Sequence, residues 1–224
     1  IGNEALKELK KLNIQTNNIV RSNQTNDDFI IINQKNNSKT VFPRIFYKRI
    51  KKIPNLKNSK WIHFMYLDNT EFLDIYSDII INKTNSQIFS ADISNKKYKK
   101  NNIKKYLPFI DYLIFSTKEL NSILGGSNYN NFTPDVIKKL KNLNKIVPNI
   151  VVHSKNKSMF FHNQNFITYD YKIKTNQKLN ILGAGDNYAA CILNELISKK
   201  TISIHSLQKA HKFATAYCLA NKNI

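Results

Sequence analysis

Residues 180–193, NILGAGDNYAACIL, decide the fold prediction, because a glycine-rich turn runs directly into a helical pattern. Glycines let the backbone pass close to a ligand, and the first turn of a helix offers unpaired N–H groups at its positive dipole end. Gly183, Ala184, Gly185 and Asp186 therefore form a candidate anion site. The Asp186 carboxylate is suited to accept a proton from an attacking hydroxyl there. The alternative is a purely structural turn, in which Asp186 is a favourable first-turn carboxylate.

Strands and helices alternate in the residues before this turn. Apolar strand patterns are followed by helical ones in WIHF (61–64) with NTEFLDIYSDIIINK (69–83), then QIFSAD (87–92), then DYLIFS (111–116) with TKELNSILGG (117–126). Such units predict right-handed crossovers and a mainly parallel sheet covered on both faces. The main body is thus predicted to be a doubly wound α/β layer.

Capping residues and periodicity predict the remaining elements. Thr133 as N-cap and Pro134 at the first position open a helix that leads into IVPNIVV (146–152). The segments SMFFHN (158–163) and QNFITYDYKI (164–173) are predicted strands, and two helices, approximately 184–199 and 204–221, follow. Near the start, residues 3–12 predict a short helix. NIVRS, DDFIIINQ and TVFPRIFYK, within 18–48, predict a small antiparallel sheet.

Composition restricts the class of protein. The chain of 224 residues is 42% hydrophobic, with no apolar run near the roughly 18 residues that cross a bilayer. The formal charge of +20 comes from lysines spread along the chain, with arginine only at Arg21, Arg44 and Arg49. Nucleic-acid surfaces usually concentrate arginine, so we predict a solvated basic surface and no nucleic-acid or membrane partner. Cys191 and Cys218 lie in helical patterns, which indicates buried thiols in a cytoplasmic protein.

The segment Leu182-Gly-Ala-Gly-Asp-Asn-Tyr-Ala-Ala190 resembles the D-T-x-G-A-G-D-x-F-x-A signature of the ribokinase-like (PfkB-type) carbohydrate kinases. The strand ending in Asp92 and the segment 111–119, DYLIFSTKE, resemble further family segments. The resemblance extends over the whole chain. It implies a Rossmann-like α/β fold with a β-sheet lid within about 18–48, as one domain over 1–224. Residues 60–64, KWIHF, with Ser116 and Leu182, look most like the ketohexokinase branch.

The resemblance also implies an activity and its site residues. The expected reaction is ATP-dependent phosphorylation of a sugar hydroxyl, with Mg²⁺, a monovalent cation as a further candidate, and Asp186 as general base that also contacts the substrate. Glu119 would act on Mg²⁺ indirectly, through bound water; a favourable first-turn carboxylate is the alternative. The anion hole and ATP site would comprise Gly183, Ala184, Gly185, Ser154, Lys155 and Ser116. Arg44 in the lid is a candidate sugar or phosphate contact, or a solvated lid residue.

Three departures from the family pattern concern nucleotide binding. Asn180 stands where the family has Asp, and Ser116 replaces the Asn of N-x-x-E. HSKNKS (153–158) replaces a glycine-containing T-x-G-x-x-G loop, where Lys155 and Lys157 either neutralise phosphate or are plain surface lysines.

Two alternative functions stay open: a kinase-like protein without catalysis that binds a ligand or regulates a partner, and a nucleoside kinase. A homodimer through the lid strands is a further hypothesis, since exposed strand edges invite pairing. The chain begins with Ile1 and has methionine only at Met65 and Met159. We therefore expect that the first part of the family fold is missing, with most of its sugar-binding residues, and that the fragment alone is inactive.

Overall fold

The computed structural model describes residues 2–17, 19, 27–33, 38–44, 56–68, 70–93, 103–124, 132–173 and 181–220. The chain divides into two compact units, Ile1–Leu56 and Lys57–Ile224.

The first unit contains one helix and a β-hairpin. Helix α1 spans Gly2–Lys11, with strand β1 at Asp27–Asn33 and strand β2 at Ser38–Arg44. The two strands are antiparallel over their full length. The predicted antiparallel sheet is therefore confirmed for these two strands. Of the predicted strand NIVRS, only Ile19 is described, and it lies in no strand.

The second unit is built on a six-stranded sheet with its strands in sequence order. The strands are β3 (Trp61–Phe64), β4 (Ile88–Asp92), β5 (Tyr112–Ser116), β6 (Asn149–His153), β7 (Lys157–His162) and β8 (Asn165–Asp170). Strands β3 to β6 are parallel, and β7 and β8 are added antiparallel. The helices are α2 (Thr70–Ile81), α3 (Leu120–Leu124), α4 (Pro134–Asn144), α5 (Ala184–Lys199) and α6 (Ile204–Ala220), with 3-10 turns at Ile103–Lys105 and Leu107–Phe109. This confirms the predicted α/β fold with a mostly parallel sheet.

Alternating strand residues divide the core into two layers. On β5, Leu113 and Phe115 belong to a cluster that also contains buried residues of α2, α3 and α4. Ile114, between them, belongs to a second cluster with Val151 and residues of α5 and α6. Because successive side chains of a strand point to opposite faces, the two clusters lie on opposite faces of the sheet. The sheet is therefore covered on both sides, as predicted.

Local sequence signals explain where two helices begin. Thr133 caps α4 by accepting a hydrogen bond from the backbone N–H of Val136 on its hydroxyl (3.4 Å), with Pro134 at the start of the helix. Helix α3 starts at Leu120, later than the predicted residue 117. The Glu119 carboxylate accepts from the backbone N–H of Ser116 and the Glu119 N–H donates to the Ser116 carbonyl, which forms a separate turn before the helix.

Two findings bear on the class of protein. Among the described residues, the helices lack the length and apolar character needed to cross a bilayer. Cys191 and Cys218 are buried free thiols, as their helical patterns predicted.

Candidate active site

The glycine-rich turn has the backbone conformation that its sequence predicts. Gly183 caps α5 with φ of +75°, in the left-handed region that favours glycine. Both the backbone N–H and the side-chain amide of Asn187 donate to the Gly183 carbonyl, at 3.0 and 2.9 Å. A Cβ added at Gly183 would lie 3.2 Å from the Tyr217 hydroxyl of α6. Backbone conformation and limited space thus both favour glycine at this position.

This turn lies against the carboxyl end of β6. Gly185 and Asp186 are exposed in the first turn of α5. A Cβ added at Gly185 would lie 3.8 Å from Cε1 of His153, the last residue of β6. The carboxyl edge of a parallel sheet is where α/β folds bind ligands. Asp186 and the N-terminus of α5 are therefore at the edge where an anionic ligand would bind.

Side chains beneath the turn form a buried polar cluster. The His153 and Tyr188 rings stack with centroids 4.3 Å apart. The Tyr188 hydroxyl donates to Ser158 Oγ at 2.7 Å, and Ser158 Oγ lies 2.6 Å from Nε2 of His211 on α6. Burial raises the pKa of Tyr188 and lowers the pKa of His211 to about 4. Burial, with His211 nearby, lowers the pKa of His153 to about 3, so both histidines are neutral at neutral pH.

Ser116 and Glu119 lie together at the end of β5. The Ser116 N–H donates to Glu119 Oε2 at 2.6 Å. Burial raises the pKa of Glu119 to about 7. The hydrogen bonds from Ser116 oppose this rise, and the charges of Asp92 and Asp68 add to it. Ser116 pairs with His153 in the β5–β6 register, and the Thr117 N–H donates to the His153 carbonyl at 2.8 Å. Glu119 and the α5 turn are therefore at the same edge of the sheet.

Two further carboxylates occupy the ends of β3 and β4. Asp92 ends β4, accepts from the backbone N–H of Tyr66, and lies 3.6 Å from Nε2 of His63. Asp68 follows β3 and is buried. No three histidine, cysteine, aspartate or glutamate side chains of the described segments converge to bind a metal ion by themselves. Indirect action of Glu119 on a metal, through water, is compatible with this arrangement, because Mg²⁺ commonly keeps several waters and binds substrate phosphates.

The predicted nucleotide loop is a tight β6–β7 connection. Ser154 donates from its hydroxyl to the Lys157 carbonyl at 3.1 Å and accepts from the Lys157 N–H at 3.1 Å. Lys157 Nζ lies 3.3 Å from a carboxylate oxygen of Asp170, whereas Lys155 is exposed. Ser154 and Lys157 therefore have structural partners, and Lys155 is the lysine of this turn that a phosphate would meet more readily.

The predicted site residues belong to both units of the chain. Eight of them lie in the second unit, at or just after the carboxyl ends of β5 and β6 and at the start of α5: Gly183, Ala184, Gly185, Asp186, Ser116, Glu119, Ser154 and Lys155. Arg44 ends β2 in the first unit, where its backbone pairs with Asp27. The side chain of Arg44 and the whole of Asn180 lie outside the described residues.

Sequence reasoning missed the contributions of Asp68 and of the His153–Tyr188 pair. Asp68 follows strand β3 on the side of its carboxyl end, a position that could have identified it. In the sequence, Tyr188 only matches the aromatic position of the turn signature. Ser158 lies 30 positions from Tyr188 in the sequence, and His211 lies 53 positions from Ser158. No local sequence pattern therefore reveals these partners.

Comparison with known proteins supports the fold independently. Residues 1–221 match the family model described as pfkB family carbohydrate kinase. A 2-dehydro-3-deoxygluconokinase of Thermotoga maritima is similar in structure, with a TM-score of 0.76 and 17% identity over 97% of this chain and 74% of its own. A fructokinase double mutant of Vibrio cholerae, crystallised with fructose, ADP and potassium, gives a TM-score of 0.71 and 14% identity over 100% of this chain and 76% of its own.

A nucleoside kinase of Methanocaldococcus jannaschii has the same fold, with a TM-score of 0.66 and 18% identity over 95% of this chain and 67% of its own. No curated protein sequence matches the chain significantly. The structural similarities, all at low identity, establish the fold.

Proposed function

The chain belongs to the pfkB family of carbohydrate kinases, and we propose that it transfers a phosphoryl group from ATP to a sugar hydroxyl, with Asp186 as the general base. The observation that carries this proposal is the position of the Gly183–Asp186 turn. It forms the start of α5 at the carboxyl edge of the sheet, with Gly183 in a left-handed conformation. This is the geometry in which a helix N-terminus binds phosphate.

The proposed chemistry assigns a separate task to each part of the turn. The exposed Asp186 carboxylate accepts the proton of the attacking hydroxyl as the new O–P bond forms and the bond from the γ-phosphorus to the bridging oxygen of the leaving ADP breaks. The backbone N–H groups at the start of α5 stabilise the negative charge on the phosphoryl oxygens. Because phosphoryl transfer requires mainly positioning and charge stabilisation, these few groups can supply much of the catalysis.

The residues at the end of β5 fit a magnesium ion that accompanies the nucleotide. Burial beside Asp92 and Asp68 raises the pKa of Glu119 to about 7, so a nearby cation would favour its ionised form. Glu119 would hold the ion through water, while the ion supplies charge neutralisation of the phosphates when bound. Lys155 and Ser116 are proposed to contact the nucleotide phosphates. Ser154 would contribute through the shape of the turn that its hydroxyl stabilises.

We also propose a substrate class, a monovalent cation, a pairing of chains and a location for the protein. A sugar acceptor, an ADP product and a monovalent cation are supported by the Vibrio cholerae fructokinase, whose structure contains fructose, ADP and potassium. Membership of the ketohexokinase branch is the narrower family prediction, and Arg44 is a predicted sugar or phosphate contact. Pairing of two chains through β1 and β2, and a cytoplasmic location, complete the proposal.

Transfer of label from γ-labelled ATP with Mg²⁺ to a panel of sugars and nucleosides tests the function. We expect turnover of a sugar by the full-length protein, and loss of about three orders of magnitude in kcat in Asp186→Asn. Binding of ATP or sugar without turnover would favour the alternative function, a kinase-like protein that binds a ligand without catalysis. Preferential phosphorylation of a nucleoside would change the acceptor class. Equal rates for the wild type and Asp186→Asn would remove Asp186 as the base.

A further inference from the structure

Asp186 stands on a part of the chain that needs external support. It is exposed in the first turn of α5, and helix ends fray because their first N–H groups lack intrahelical partners. A catalytic carboxylate must be held within a fraction of an ångström of its productive position. The Asn187 contacts to the Gly183 carbonyl tie this turn only to itself.

The attachment to the rest of the fold comes from two stacked rings. Tyr188, two positions after Asp186, is 2% exposed, and its ring stacks on that of His153 at 4.3 Å between centroids. His153 in turn lies under Gly185, with Cε1 3.8 Å from a Cβ placed there. Gly185, before Asp186, and Tyr188, after it, are thus both close to one imidazole ring of β6.

A buried hydrogen-bond chain holds the rings from behind. The Tyr188 hydroxyl donates to Ser158 Oγ, and the Ser158 hydroxyl can donate in turn to the neutral Nε2 of His211. Ser158 pairs with His153 in the β6–β7 ladder, and the His211 ring stacks on Tyr171 at 4.8 Å. The hydrogen-bond chain therefore links α5, the β6–β7 pair and α6. Such satisfied buried networks make a local structure more rigid.

We propose that His153 and Tyr188 are positioning residues, whose stacked rings, held by Ser158 and His211, orient the Asp186 carboxylate toward the attacking hydroxyl. This inference rests on the proposed kinase function. The ring pair acts through geometry and carries no charge to the phosphate site, because His153 and His211 are both neutral at neutral pH. Packing of the imidazole is therefore more important than its ability to exchange a proton.

Kinetics of three histidine variants of the full-length protein test the proposal. His153→Ala removes the ring, and we expect kcat to fall about tenfold or more, with KM for ATP and sugar within about threefold of wild type. His153→Phe restores a stacked ring and should recover most of the loss. His162→Ala is the matched control, because His162 lies at the other end of the same ladder, opposite Asn149. It should keep kcat within about twofold.

A double-variant cycle separates positioning of Asp186 from general stability. In the Asp186→Asn background, His153→Ala should lower the residual single-turnover rate by less than about twofold, because residues that act as one unit are not additive. Multiplicative losses would overturn the proposal, as would His153→Phe being as impaired as His153→Ala. Equal kcat in His153→Ala and His162→Ala would also overturn it.

Tyr188→Phe provides a second variant should His153→Ala fail to fold. It keeps the stack and removes one hydroxyl, and we expect a loss of about threefold or more in kcat with a folded protein by circular dichroism. An unchanged kcat would contradict the role of the hydrogen-bond chain. A wild-type protein without phosphoryl transfer would instead refute the kinase function on which the inference rests.

Discussion

Two glutamates of the second unit have opposite pKa shifts, and their surroundings explain why. Glu119, at the carboxyl end of β5, has its pKa raised to about 7 by burial and by Asp92 and Asp68. Glu195, between α5 and α6, has its pKa lowered to about 2 by hydrogen bonds from Lys199 and Lys209. Glu195 is therefore ionised and paired, whereas Glu119 is half-buried among like charges.

The difference separates a stabilising carboxylate from a candidate functional one. Lys209 donates to Glu195 at 2.6 Å, Lys199 at 2.8 Å and Ser206 at 3.3 Å, so its charge is matched within the fold. The charges that act on Glu119 oppose its ionisation, and a bound cation would remove that cost. Carboxylates whose pKa is strongly raised by burial and like charges, as that of Glu119 is, tend to occur at functional sites. The comparison predicts that replacement of Glu119 affects activity and replacement of Glu195 affects stability.

The largest difference is expected in catalysis. Glu119→Gln keeps the size of the side chain and an acceptor for the Ser116 N–H but removes the charge that would orient Mg²⁺-bound water. We expect kcat/KM for MgATP to fall about tenfold to a hundredfold, as for outer-shell ligands of metal sites. Glu195→Gln is the matched control and should stay within about twofold of wild type. Steady-state assays with varied Mg²⁺ measure both variants. Similar losses of kcat/KM in the two would show that Glu119 has no special role in catalysis.

For stability, we expect replacement of Glu195 to have the larger destabilising effect. Glu195→Gln removes the charge that pairs with Lys199 and Lys209, and one amide cannot accept from both lysines and Ser206 as the carboxylate does. We expect its Tm at pH 7 to fall by a few degrees, while Glu119→Gln has a Tm equal to or above that of wild type. Differential scanning calorimetry measures both. A larger fall for Glu119→Gln would show that Glu119 is a structural residue.

Local sequence signals were sufficient to predict most of the second unit. Strand β3 at Trp61–Phe64 and helix α5 at Ala184–Lys199 coincide with their predicted bounds, because apolar runs, glycine turns and caps act over a few residues. The beginning of α3 was predicted three residues too early. There, the Glu119 side chain bonds back to Ser116 and competes with the first helical turn.

The electrostatics of the site required the tertiary structure. The pKa of Glu119 depends on Asp92 and Asp68, which come from the ends of two other strands. The Tyr188–Ser158–His211 chain likewise joins α5, β7 and α6. Strand order and helix packing determine these contacts, and periodicity in the sequence carries no information on which polar side chains will meet.

Acid should weaken the fold through Glu195. Its folded pKa of about 2 lies below the ordinary value of 4.5, so its stabilising contribution is complete above pH 4.5 and is lost as the pH falls toward 2. We expect the difference in unfolding free energy between wild type and Glu195→Gln to shrink over this interval. Urea unfolding at pH 5, 4 and 3 measures it. A difference independent of pH would indicate that the lysine contacts contribute little.

The smallest effect, and the opposite slope, is expected from Glu119. Its folded pKa of about 7 lies above the ordinary 4.5, so the folded state binds the proton more tightly, and stability falls as the pH rises from 4.5 through 7. Glu119→Gln cannot ionise, so it should become more stable than wild type by a few degrees in Tm at pH 8 and match it at pH 5. Measurement with a chelator present keeps divalent cations from stabilising the wild-type carboxylate. If Mg²⁺ then removes the difference at pH 8, a cation relieves the cost of ionising Glu119, as expected of a metal-site carboxylate. A difference that Mg²⁺ leaves unchanged would contradict the assignment of Glu119 to a metal site.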